Sequence, residues 1–228
     1  MKGLYPSLLI LLLTTLTISE PHNGCDALQG QKSISLKSGK IDEAKFIEAL
    51  KVICPNSAKE PCVDDDKAKG QCRTAKQAAG PILRSLERYA ITEKNETAAL
   101  ISLMALESGE FKYQKNVYPG RPGQGTRNMQ MPEWNERYAS SIEELKDSAQ
   151  KLKCNKEKIL DLLLSKDEYD FGSAAWYAST QCNADVRRGL KEGTQAGWEK
   201  YITSCVQTTI SEERLRYWQI AMREIGKL

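Results

Sequence analysis

The chain has 228 residues, with 33 Lys and Arg against 30 Asp and Glu, and one histidine. The two signs of charge alternate along nearly every segment, so no basic face points to nucleic acid. The single histidine, His22, stands near the N-terminus, so a Ser-His or Cys-His nucleophilic system cannot be assembled inside the folded part, and enzymatic chemistry would have to rest on carboxylates.

Residues 1–19 read as a signal peptide: Lys2 before the apolar run Leu8–Leu16, then Thr17 and Ser19 at the small-residue positions of a cleavage site near Glu20. The apolar run is shorter than the roughly 20 residues of a membrane span, so the expectation is a secreted, extracellular product with no membrane partner. Residues 20–40 are polar and rich in Gly, Ser and Lys, and read as an extended lead-in to a single helical domain over 41–228. Seven cysteines follow the signal (Cys25, Cys54, Cys62, Cys72, Cys154, Cys182, Cys205). In an oxidising compartment six can pair, and the spacings do not fit a zinc site.

Within 41–228 the periodicity is helical almost throughout. Asp42–Cys54 places Phe46, Ile47, Leu50 and Ile53 on one face. Pro55–Gly70 is a polar loop, and its run Asp64-Asp-Asp66 lacks the terminal Glu of a calcium loop. A helix is expected over Ala75–Tyr89, started or kinked by Gly80-Pro81, and another over Glu93–Leu106. Asn95-Glu-Thr97 is an N-glycosylation sequon at the polar start of that second helix. Residues 109–132 form a long irregular segment, of the length that is usually functional. Helices then follow over Ser141–Leu152 with a capping box at Ser141 and Glu144, Lys156–Ser165, Phe171–Thr180, Trp198–Cys205, and Ser211–Ile225 preceded by Thr209 and Glu212. Cys182 and Cys205 flank a Gly-bearing connection between helical segments and are the first pair to expect. The fold class is all-α, with at most a small hairpin and a cleft beside the long loop.

Leu100, Leu103 and Glu107 share one helical stripe that ends at Gly109. A carboxyl there would sit at the rim of an apolar core, which favours the protonated form that a general acid needs. The sequence Leu103-Met-Ala-Leu-Glu-Ser-Gly-Glu-Phe111, followed by Gly123-Gln-Gly-Thr-Arg-Asn-Met-Gln130, resembles the active-site signature of the lysozyme-like superfamily, goose-type lysozymes and soluble lytic transglycosylases in particular. Glu107-Ser108 and Met129-Gln130 match that signature, while Arg127-Asn128 replaces its Gly-Leu. Asp170-Phe-Gly-Ser-Ala-Ala-Trp-Tyr-Ala-Ser179 resembles a variant of the family's Ala-Tyr-Asn-Ala-Gly segment, and its small residues would let this helix approach the one that carries the acid.

The resemblance implies glycan cleavage with Glu107 as general acid, without a cofactor. The substrate would be a β-linked amino-sugar polysaccharide such as peptidoglycan, chitin or chitosan, and the protein a monomer. Hydrolase and lyase routes stay open. Glu110 is the nearest second carboxylate, with Glu133 and Asp170 as alternatives. Gln124, Asn128 and Gln130 would bind sugar hydroxyls, with Met129, Tyr113 and Tyr177 lining the cleft. The competing expectation is a non-catalytic glycan- or protein-binding effector that keeps the fold.

Overall fold

The computed structural model describes residues 41–62 and 65–228. The signal peptide, the lead-in, His22 and Cys25 lie outside the described residues. From residue 41 onward the chain is all-α, with ten α-helices among the described residues and two isolated β-bridges, Lys115 with Gly125 and Gly125 with Gln130. The helices are α1 Glu43–Ile53, α2 Ala75–Arg88, α3 Lys94–Glu107, α4 Pro132–Ser141, α5 Lys146–Lys151, α6 Lys156–Leu163, α7 Asp167–Thr180, α8 Ala184–Glu192, α9 Gln195–Lys200 and α10 Glu212–Gly226.

Local chemistry accounts for most of the helix starts. Asp42, Thr74, Asn155, Asn183, Thr194 and Ser211 each accept a first-turn backbone N–H, which satisfies one of the donors that a helix leaves open. Thr74 and Gln77 form a full capping box on α2. Pro81 lies inside α2 and is buried, and the helix runs through it.

Helix α3 is the centre of the domain. From Glu96 to Ala105 every residue is buried, the condition of a helix enclosed on all sides rather than one floating on a core. Helix α10 packs along it, α1 bridges α2 and α10, and α2 packs on α7. Helix α7 divides the apolar interior. Phe171, Ala174, Ala175 and Ala178 join the main core around α3. Tyr169 and Trp176 face a second core with Tyr138, Ile142, Leu145, Ile159 and Leu163 from α4 to α6.

Several elements differ from the sequence reading. Pro132 opens α4 inside what reads as loop, and Ser141 ends that helix with its hydroxyl on the Tyr138 carbonyl instead of capping a new one. The start of α10 is capped by Ser211, not by Thr209. Helix α8 is an element the sequence pattern misses, because Val186 and Leu190 are its buried residues and the rest is polar. The small residues of α7 do not serve the acid-bearing helix alone: a Cβ on Gly172 would collide with the Tyr138 hydroxyl of α4, and Ser173 bonds Asn128 in the long loop.

Candidate functional site at the end of helix α3

The C-terminus of α3 is where the backbone departs furthest from ordinary geometry. Ser108 is buried, its hydroxyl donates to the Met104 carbonyl at 2.6 Å and accepts from Phe111 N–H at 2.8 Å. Three consecutive residues then lie in the left-handed region: Gly109 at φ 59°, Glu110 at 62° and Phe111 at 67°. Glycine carries this at no cost, but Glu110 and Phe111 each carry a penalty of about 1–2 kcal/mol. The turn persists because its neighbours over-determine it. Phe111 is fully buried edge-on against Phe171, with ring centroids 5.4 Å apart, and the Glu110 carboxylate is held from two sides.

Helix α10 reads both acids. Arg214 donates to Glu107 at 2.6 Å, and one helical turn on, Tyr217 donates its hydroxyl to Glu110 Oε1 at 2.7 Å. The other oxygen of Glu110 accepts the Asn56 N–H at 2.6 Å. Burial, and then the bond to Glu110, raises the Tyr217 phenol above its ordinary range. Burial, with Glu110 nearby, pushes the Cys54 thiol well above the usual range, so it stays protonated and is a weak nucleophile. Beside Glu110 lies a cavity of about 110 Å³ lined by Asn56, Cys72, Glu110 and Lys112.

The amide turn is built around Arg127, which is fully buried together with Asp170. Arg127 Nε donates to Asp170 at 2.7 Å, while its two NH2 groups reach the carbonyls of Phe111 (2.6 Å), Tyr113 (3.3 Å) and Gln71 (2.7 Å). The guanidinium also lies 4.8 Å over the Phe171 ring. Gln114 donates to the same Asp170 oxygen. Burial pushes the Asp170 carboxyl up and the Arg127 guanidinium down, each opposed by the charge of the other. One side chain thus ties the 71–73 loop, the left-handed turn and α7 together. That is what Arg127 does at the position where the lysozyme-like signature would have Gly-Leu.

The expected sugar contacts face inward instead. Gln124 donates to the Met129 carbonyl and accepts from Asn116. Asn128 accepts from Thr126 and Ser173 and lies 3.4 Å from Gln130, which itself donates to Asn135. Met129, half-buried, adopts φ 47° in this turn. Tyr113 donates to Asp65 at 2.9 Å, beside Lys112 on the same carboxylate. Tyr177 donates to the Cys205 carbonyl and sits edge-on to Trp134. Neither Glu107 nor Glu110 makes a hydrogen bond or ion pair with the amide turn. Asp170 is sealed in its pair, so it cannot serve as a second carboxylate.

Asn95 is likewise engaged: its Nδ2 donates to the Lys191 carbonyl at 2.9 Å, and Gly193 is packed so closely that a Cβ there would strike it. Thr97, the third residue of the sequon, is buried. Cys182 and Cys205 are joined, tying the end of α7 to the π-helical turn Tyr201–Cys205. A second disulfide joins Cys62 to Cys72, a pairing that the crowded sequence did not resolve.

No family model matches this sequence, and no solved structure matches it. It is similar to a bifunctional dioxygenase (DOX)-epoxy alcohol synthase (EAS) of Fusarium oxysporum (strain Fo5176), with 44% identity over 156 residues. The match covers 66% of this chain but 12% of that much longer protein. This corrects the lysozyme-like reading, and with it glycan cleavage, the glycosidase assignment and the cell-wall substrate. In this chain Glu107 is paired with Arg214, and Gln124 and Gln130 make hydrogen bonds to the Met129 carbonyl and Asn135.

Proposed function

We propose that this chain is a non-redox accessory module of the kind of oxidising protein represented by the dioxygenase–epoxy alcohol synthase. The observation that carries the reading is the 44% identity concentrated in so small a part of that relative. Oxygen chemistry is generally supplied by a metal or an organic cofactor. The donor set of the described residues does not fit such a metal. The single histidine is His22, outside them, and no group of three or more His, Cys, Asp or Glu among them is placed to hold an ion. Glu107 at the end of α3 and Glu110 in the turn after it are engaged by Arg214, Tyr217 and Asn56. No oxidative step is therefore assigned to these side chains, and the module's part is to support a polypeptide that carries the chemistry.

Oxygen uptake tests this. The relative is compared with a form lacking the matched segment, each with and without this chain added, and this chain is assayed alone. The expected result is no uptake by the chain alone, a lower rate or lower soluble yield on deletion, and recovery when the chain is supplied. Oxygen consumption by the chain alone would overturn the reading, and so would a deletion that changes neither rate nor yield.

A further inference from the structure

The turn between α5 and α6 and Pro122 of the long loop form a shallow, open groove of about 430 Å³. Its walls are fixed. Gly123 is packed on Lys156 so tightly that a Cβ would meet the Lys156 backbone at 2.8 Å, and Lys115 bridges from the loop to Asp161 of α6 at 2.6 Å. Asn155 caps α6, and Cys154 holds the turn at φ 69°.

The groove is basic. Lys153 and Lys156 line it with one acid, Glu157, and Lys151, Lys158 and Arg121 flank it in sequence. Among the described residues none of these five cations has a carboxylate within 4.0 Å, whereas twelve ion pairs are formed elsewhere. The positive end of α6 adds to the same field. At the tip of the same loop Tyr118 is 87% exposed, next to Val117. Asn116 holds that tip by accepting from Gly120 and Arg121 N–H. Tyr118 stands four residues before the groove-lining Pro122 and offers an exposed aromatic ring for contact.

We infer that this groove binds an acidic peptide segment, its carboxylates against Lys153 and Lys156 and its neighbouring residues against Tyr118. Two unpaired ammoniums against one acid leave the lining an excess of positive charge, which the carboxylates of an acidic peptide complement. The inference stands on this face alone and does not require the kinship with the oxygenase.

The full secreted chain is titrated into a fluorescein-labelled decapeptide of alternating Asp and Glu, read by anisotropy at low and moderate salt. Cys154, exposed and unpaired, lies in the groove and gives a second readout: its alkylation by iodoacetamide, located by peptide mapping. Saturable binding is expected, together with slower alkylation of Cys154 at the same peptide concentrations. Lys153→Glu with Lys156→Glu should weaken binding at least about tenfold, and salt should weaken it further. The control pair Lys67→Glu with Lys191→Glu makes the same change in net charge elsewhere and should leave binding within about twofold. Absence of saturable binding, loss of binding equal in both pairs, or unchanged alkylation of Cys154 would each overturn the inference. Tighter binding to phosphatidylserine vesicles or to oligo(dT), with Cys154 protected, would overturn the peptide assignment in favour of a lipid or nucleic acid.

Discussion

Replacing Arg127 by Met removes a charge from the interior while keeping much of the apolar stem. It leaves the Asp170 carboxylate, fully buried, without its ion-pair partner at 2.7 Å, and it removes the donors to Phe111, Tyr113 and Gln71 carbonyls. Breaking a buried pair from one side costs about 3–5 kcal/mol. The carbonyl of Phe111 is buried and loses its bond outright, for about 1–3 kcal/mol more, while the part-buried Tyr113 and Gln71 carbonyls can turn to water. An expected loss of about 4–8 kcal/mol follows, a large fraction of a domain's stability. The assay is urea unfolding followed by tryptophan fluorescence, with Arg127→Met, Asp170→Asn and the double variant. The double variant should lose less than the sum of the singles by about 1.5–3 kcal/mol, the scale of coupling within one network. The pH dependence has a definite sign. Burial already raises the Asp170 carboxyl, and without Arg127 the native state takes up a proton more readily than the unfolded chain. The defect of Arg127→Met should therefore shrink as pH falls from neutral towards 5. A loss under 1 kcal/mol, or additive single variants, would refute the claim that this pair holds the turn.

Three further outcomes are expected. Asp65 is held down at about 2 from an ordinary 3.8, chiefly by Lys112 and then by Tyr113. Its stabilising contribution is thus present above pH about 4 and lost as pH falls towards 2, so wild type and Asp65→Asn should converge over that window in acid unfolding curves. Replacing Cys182 and Cys205 together by Ala opens a cross-link that spans 23 residues and should cost roughly 3 kcal/mol in urea unfolding. Gly172→Ala places a methyl against the Tyr138 hydroxyl and should destabilise by about 1–3 kcal/mol. Adding Tyr138→Phe removes the colliding atom and should restore part of the loss in the melting temperature, whereas a rescue that fails would show that the contact is not the cause.

Helix content was legible from the chain because caps and apolar spacing act over four residues. Phe46, Leu50 and Ile53 of α1 are buried on the expected face, and α2, α6 and α10 begin or end close to the expected residues. Helices α4 and α8 were not legible: their buried residues are few, and tertiary contact supplies what their own pattern lacks. The pairing of Cys182 with Cys205 was reachable because both lie at the ends of local elements.

The chemistry of the acids was a different matter. Sequence placed Glu107 at the end of an apolar stripe, which is where the structure has it, with its side chain only partly exposed. Whether that carboxyl is a proton donor or one half of an ion pair depends on Arg214, 107 residues further along. In the same way Arg127 in a glycine-rich turn looks anomalous until Asp170, 43 residues away, and three carbonyls from two distant segments close around it. Periodicity and capping are short-range, so the chain displays them locally. A buried charge takes its state from whichever distant groups replace its water, and only the packed tertiary structure chooses those groups.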